Sequence, residues 1–202
     1  MKPTIVVFDI GNVLLRWDMR ALFATLIDDG QELDVFLRDV CPVSWHATLD
    51  AGALYADAIA ARVALYPHYE AIIRAYDPRW QETIVGPIHQ SVRLLERLRA
   101  AGAPTYAITN FPAEKFEETC ALHPFLQGFE GVIVSGREKV TKPDPAIFRL
   151  FLDRFGLAAG DCVFIDDSAA NVASAAALGF HAVLFDDPDR LEGRLAALGL
   201  PV

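Results

Sequence analysis

Four short polar clusters, each at the end of an apolar run, carry the residues able to do chemistry. Asp9 follows IVVF directly, Thr109 and Asn110 follow PTYAI, Lys142 sits in VTKPDP, and Asp166 with Asp167 closes FIDD. Carboxylates from the first and last clusters would hold a hard divalent cation such as Mg2+, which takes oxygen ligands and keeps several waters. A lysine ammonium and a hydroxyl would hold an anion. Together these groups meet the needs of phosphoryl transfer, in which negative charge is spread over the nonbridging oxygens of the moving group. Each cluster also has a plainer reading. Asp, Gly and Asn are ordinary turn residues around Asp9, and two adjacent acids favour a helix N-terminus. Two acids behind a buried strand are nevertheless costly unless something cationic faces them.

The chain has only four lysines against fourteen arginines, so a lysine between a strand and a helix stands out from generic surface charge. Lys142 is favoured over Lys139 because Pro143 follows it and is expected to set the start of the next helix. Asp18 reads as the N-cap of a helix. Trp17, Trp45 and His46 could line a pocket, although aromatic groups in a small helical unit more often form its core.

The elements that must position these groups alternate in type. Five β-branched or aromatic runs read as buried parallel strands: Thr4 to Phe8, Pro104 to Ile108, Gly131 to Val134, Cys162 to Ile165 and His181 to Phe185. Helical patterns cover Ile88 to Ala101, Pro112 to Leu122, Asp144 to Phe155 and Ala169 to Leu178, three of them closed by Gly102, Gly156 and Gly179. The expectation is an α/β fold, a Rossmann-like doubly wound parallel sheet that binds ligands beyond the carboxyl ends of its strands. About 95 residues separate the first two strands, far more than an ordinary connection. Helical periodicity at Met19 to Ile27, Glu32 to Val40, Ala53 to Leu65 and Tyr69 to Tyr76, with no convincing strand, predicts an inserted helical cap over residues 16–86. The catalytic core is then 1–15 with 87–202. A cap leaving the chain just after the first strand would hang over the pocket as a lid.

Composition narrows the function classes. Twenty-seven acidic against eighteen basic residues give a formal charge of -9, which disfavours nucleic acid and anionic membranes as partners. No stretch approaches the roughly 20 apolar residues of a membrane span, and the start lacks the pattern of a signal peptide, so a cytoplasmic location is expected. Cys41, Cys120 and Cys162 are odd in number and lie among apolar neighbours, as reduced structural thiols do. The five histidines never fall three or four apart, which disfavours a zinc site on a helix. A GxxxxGK loop, a GxGxxG fingerprint and a GxSxG elbow are all missing.

Taken in order, the four clusters resemble the motifs of the haloacid dehalogenase superfamily of aspartate-nucleophile hydrolases, over nearly the whole chain. VVFDIGNVL is similar to the first motif, which implies Asp9 as nucleophile and metal ligand and the Gly11 carbonyl as a second ligand. YAITN resembles the second, implying that Thr109 and Asn110 bind phosphate. VTKPDPAIF resembles the third, with Lys142 holding nucleophile and phosphate. FIDDSAANV resembles the fourth, with Asp167 as metal ligand, Asp166 beside it and Asn171 in support. The subgroup of similar proteins contains sugar-1-phosphate phosphatases and the N-terminal phosphatase domain of epoxide hydrolases. The resemblance implies a Mg2+-dependent phosphatase acting on a small phosphorylated metabolite through an aspartyl-phosphate.

One position departs from the pattern. Phosphatases of the superfamily usually carry a second aspartate two residues after the nucleophile as general acid and base, and here that residue is Gly11. Losing a general acid costs about 10² to 10⁴ in rate unless the leaving group needs little protonation. Two alternatives follow. One is a 2-haloacid dehalogenase, which uses the same aspartate without metal, and the other is a non-catalytic phosphate-binding protein.

Overall fold

The computed structural model describes residues 2–202 and forms one five-stranded parallel sheet and one two-stranded antiparallel ribbon. The strands are β1 (Ile5–Phe8), β2 (Leu15–Trp17), β3 (Ile84–Pro87), β4 (Thr105–Thr109), β5 (Gly131–Val134), β6 (Cys162–Asp166) and β7 (His181–Leu184). The large sheet has the order β5-β4-β1-β6-β7. The chain therefore winds outward from β1 through β4 to β5, crosses back, and continues through β6 to β7. Such a reversal opens a crevice beyond the carboxyl ends of the central strands. The five expected runs match these strands to within a residue at most ends, because strands covered on both faces read as continuous apolar segments.

Side chains alternate between the two faces of the sheet, as the two-residue period requires. Val7, Tyr106, Ile108 and Phe164 pack beneath Ile147, Phe148 and Phe151 of a helix on one face. Val6, Phe8, Ala107, Val163 and Ile165 point the other way, onto Leu94, Leu95 and Leu98 of one helix and Leu191 and Leu195 of another.

The helices, in chain order, are α1 (Met19–Phe23), α2 (Gly30–Val35), α3 (Val43–Asp50), α4 (Tyr55–Leu65), α5 (Glu70–Arg74), α6 (His89–Ala100), α7 (Ala113–Leu122), α8 (Ser135–Glu138), α9 (Pro145–Phe155), α10 (Ala169–Ala177) and α11 (Pro188–Leu198). Asp144 caps α9 by accepting from Ala146 N at 2.8 Å. This corrects the reading of Pro143, since Pro145 is the first helical residue and Lys142 stands in the loop before the cap. Gly156 ends α9 in the left-handed region at φ 66°.

The stretch between β2 and β3 is helical, with differences from the expected pattern. β2 and β3 are strands the periodicity did not reveal. They pair antiparallel, Leu15 opposite Pro87, with an irregularity between Arg16 and Trp17, so pairing across some seventy residues defines them and local pattern does not. The first helix stops at Phe23, because Asp29 starts a new one by accepting from Gln31 N and Glu32 N. The expected Glu32 to Val40 helix passes into a π turn over Phe36–Val40. α3 also escaped notice: in its eight residues only Trp45, His46 and Leu49 are buried, too short a pattern to stand out in the sequence.

This helical stretch is not a free-standing unit. One apolar cluster runs without a break from Phe8 and Ile165 through Phe23, Phe36 and Tyr76 to Trp80. Polar ties bind it to α7 and α8. The Ser135 hydroxyl donates to Asp50 O at 2.6 Å, Gln81 Nε2 donates to Thr119 Oγ1 at 3.0 Å, and Lys115 Nζ donates to Asp77 O at 2.8 Å and pairs with the Asp77 carboxylate. Trp80 meets Phe111 edge to face at 5.1 Å.

At this junction Gly136 leaves no room for a side chain. An added Cβ would lie 2.5 Å from Ala113 N and 2.8 Å from Phe111 O, both backbone atoms. Gly136→Ala is therefore expected to destabilise the protein by about 1–3 kcal/mol, the usual cost of overpacking, read as a lower urea midpoint. An unchanged midpoint would show that the α7–α8 junction yields freely.

Candidate active site

Strand register brings the acids together. Phe8 and Ile165 are partners on neighbouring strands, and Asp9 N donates to Ile165 O at 2.8 Å. Asp9 thus leaves β1 beside Asp166, the last residue of β6. Carboxylate oxygens of Asp9, Asp166 and Asp167 lie within 4.8 Å of one another, Asp9 and Asp166 buried and Asp167 on the open side.

Lys142 lies between two of them. Its Nζ is 2.8 Å from Asp9 Oδ1 and 2.6 Å from Asp166 Oδ2, with the lysine side chain wholly buried. Asn110 holds this lysine through its backbone: Nδ2 donates to Lys142 O at 2.9 Å, and Oδ1 accepts from Lys142 N at 2.8 Å. Asn171 Nδ2 donates to Asp166 Oδ1 at 2.9 Å, and Ser168 N donates to the same oxygen at 2.8 Å. Asp166 is thereby committed to Lys142, Asn171 and Ser168, whereas Asp167 keeps an open side. Lys139 is exposed, in the left-handed conformation that ends α8.

The charge balance is acid-rich. Burial, together with the negative charges of Asp166 and Asp167, outweighs Lys142 and pushes Asp9 up to about 8. Burial and the Asp166 charge raise Asp167, opposed by Lys142 and Asn12. For Lys142, burial works against the charged form, but the charges of Asp9 and Asp166 prevail and raise it. Three carboxylates, two of them buried, share one ammonium, which is an environment short of positive charge.

A cavity of about 270 Å³ opens in front of this cluster. Asp9, Gly11, Asn12, Asn110, Lys142, Asp167 and Asn171 form one wall; Val43, His46, Asp50 and Trp80 come from the helical stretch; Leu15 and Trp17 of β2 with Ile84, Phe111 and Pro112 complete it. Thr109, expected to touch phosphate, is completely buried and is not part of this lining, while its Oγ1 has no hydrogen-bond partner among the described residues. The side-chain amide of Asn110, expected to bind phosphate, is engaged mainly with Lys142. Trp17 and His46 line the cavity, Trp45 belongs to the core, and Asp18 caps α1 through Arg20 N at 2.8 Å.

Two polar lining residues, Asn12 and Asp50, were not singled out from the sequence. Asn12 adopts the left-handed conformation, at φ 54°, and its Oδ1 accepts from Trp17 N at 3.1 Å, so it fixes the end of β2. The signal was the Gly-Asn pair, since asparagine tolerates that region better than most residues. Asp50 carried no local signal.

A family model matches most of this chain. The model for haloacid dehalogenase-like hydrolases matches residues 3–179. The chain belongs to this family.

Among curated relatives, acyl-CoA dehydrogenase family member 10 of Mus musculus is 36% identical over 110 residues, 54% of this chain and 10% of that protein. The sesquiterpene phosphatase astK of Aspergillus oryzae is 31% identical over 93 residues, 46% of this chain and 47% of that protein. These matched stretches span less than half the length of either relative. A haloacid dehalogenase family enzyme of Bacteroides thetaiotaomicron, solved with magnesium and inorganic phosphate, superposes with a TM-score of 0.69 at 18% identity, covering 92% of this chain and 96% of that one. The family is one of hydrolases, and the chain adopts the α/β fold expected from its sequence. None of its described helices is long and apolar enough to cross a membrane.

Proposed function

We propose that this hydrolase is a Mg2+-dependent phosphatase of a small phosphorylated metabolite, working through an aspartyl-phosphate on Asp9. The observation carrying this reading is the shared Lys142 between Asp9 and Asp166, with the Asp167 carboxylate within 4.8 Å. The all-oxygen donor set and the surplus of negative charge suit a hard cation. Asp9, Asp167 and the Gly11 carbonyl would hold it, with Asp166 beside them. When bound, Mg2+ neutralises the repulsion between the attacking carboxylate and the phosphate dianion.

The chain's own groups do the rest. Asp9 is held rigidly, its Oδ1 accepting from Ile10 N at 2.7 Å and from Lys142 Nζ, so one carboxylate oxygen is fixed and the other is left for attack in line on phosphorus. Lys142 provides the fixed positive charge for the equatorial oxygens. Asn110 acts by holding that lysine. Residues 16–86 serve as the cap, contributing Trp17, Val43, His46 and Asp50 to the leaving-group side. Asn12, His46 and Asp50 supply partners for hydroxyls, as a sugar-1-phosphate would need, and the modest cavity confines the substrate to small esters.

Phosphate release from a panel of phosphorylated metabolites, with sugar-1-phosphates and acyl phosphates included, is expected to appear with Mg2+ and vanish with a chelator. Chloride release from 2-chloropropionate that ignores the chelator would decide for displacement at carbon instead. The three clustered carboxylates weigh against that outcome, because they repel a substrate carboxylate.

Titration adds a second test. With Asp9 raised to about 8, the metal-free carboxyl is mostly protonated at pH 7, and binding a cation demands the ionised form. Adding Mg2+ at pH 7 is expected to release close to one proton per chain, detected from the buffer dependence of the binding enthalpy, and fewer above pH 9. Proton-free binding at pH 7 would contradict the charge balance described above.

A further inference from the structure

Cleaving an alkyl phosphate expels an alkoxide, a poor leaving group unless a proton reaches it in the transition state. Gly11 offers no side chain for this, so the donor must come from elsewhere on the cavity wall. Asp9 is the attacking group, Lys142 is locked between two carboxylates, and Asp167 is needed ionised. The amides of Asn12, Asn110 and Asn171 and the indoles of Trp17 and Trp80 are not acids in the working range. His46 and Asp50 remain.

They form a built pair. Residues i and i+4 of α3 place the two side chains on one helix face, with His46 Nε2 3.4 Å from Asp50 Oδ1. His46 is 5% exposed. Its ring lies against Trp17 at 4.7 Å, and its Nδ1 is 2.7 Å from Tyr76 Oη. Asp50 Oδ1 is buried with no hydrogen-bond partner among the described residues, so the contact with Nε2 is a loose one that an incoming oxygen can replace. The ring is thus oriented from one side by a fully buried tyrosine and faced from the other by a carboxylate, and it lines the same cavity as the nucleophile.

We infer that His46 is the proton donor to the leaving oxygen, a catalytic residue supplied by α3, with Tyr76 and Asp50 as its positioning residues. The role rests on the phosphatase reading above. In the protonated ring Nδ1–H donates to Tyr76 Oη, and Asp50 balances the charge. As an Asp9 oxygen bonds to phosphorus, the bond from phosphorus to the leaving oxygen breaks. That oxygen keeps the electron pair and takes the Nε2 proton, leaving as the alcohol. Water then attacks phosphorus, the bond to Asp9 breaks with its pair returning to the carboxylate, and the proton shed by the phosphate formed returns to the ring through solvent. Inorganic phosphate leaves and His46 is protonated again.

The test compares esters of different leaving-group acidity. p-Nitrophenyl phosphate needs no proton donor, whereas an alkyl phosphate does. His46→Gln is expected to lower kcat for the alkyl ester by about 10² or more and to change kcat for the aryl ester by less than about threefold. Asp50→Asn is expected to show the same selectivity with a smaller loss. Retained aryl turnover also reports a folded site. Equal losses on both esters, or no loss on either, would overturn the assignment. Failure of the unaltered protein to release phosphate from any ester with Mg2+ would instead overturn the phosphatase reading on which it rests.

Discussion

Asp9→Asn is expected to abolish phosphate release, by on the order of 10⁴-fold or more, the scale seen when a nucleophile is removed. The variant keeps the size of the side chain and an oxygen to accept from Lys142 and Ile10 N, so the loss is chemical. Its stability should move the other way. In the parent, Asp9 is raised from 3.8 to about 8, so the fold favours the protonated carboxyl. The stability this gives is complete below about pH 3.8, and it is lost as pH rises through 8. Metal-free Asp9→Asn, which cannot ionise, should therefore melt above the parent at pH 8, by a margin that narrows toward pH 5. A variant that retains full turnover, or melts below the parent at pH 8, would remove Asp9 from the centre of the site.

Lys142→Ala should have the largest effect on folding. The substitution leaves Asp9 and Asp166 buried within reach of one another with no cation between them. Breaking a buried charge cluster by removing one partner costs about 3–5 kcal/mol, a large share of the roughly 5–15 kcal/mol that holds a domain together. Urea unfolding of the metal-free protein at pH 7 should show the midpoint falling sharply, with turnover lost as well. Lys142→Met, which keeps most of the volume, should recover only the packing part. A loss below about 1 kcal/mol would mean that protonation of Asp9 already relieves the strain without the lysine.

The sheet was legible in the sequence because its signals are local. Val6, Val7 and Phe8, or Val163, Phe164 and Ile165, are buried on both faces and read as unbroken apolar runs. Gly102, Gly156 and Gly179 have positive φ where helices end. The acids Asp9, Asp166 and Asp167 were legible for the same reason, since each stands at or just past the end of its strand. Contacts between distant segments were not. Asn110 holds a backbone 32 residues away. β2 and β3 are strands only because each finds the other. The His46–Asp50 pair is a simple helical spacing, yet nothing in the sequence shows that it lines the same cavity as Asp9.

The ties between the helical stretch and α7 and α8 carry a mechanical consequence. Hydrogen bonds from Ser135, Gln81 and Lys115, with the Trp80–Phe111 contact, bolt the roof of the crevice to its rear wall, and the apolar cluster beneath leaves no hinge plane. Swinging the roof aside would break all of them at once. On the phosphatase reading, substrate is then expected to enter through a standing mouth and not past a swinging gate.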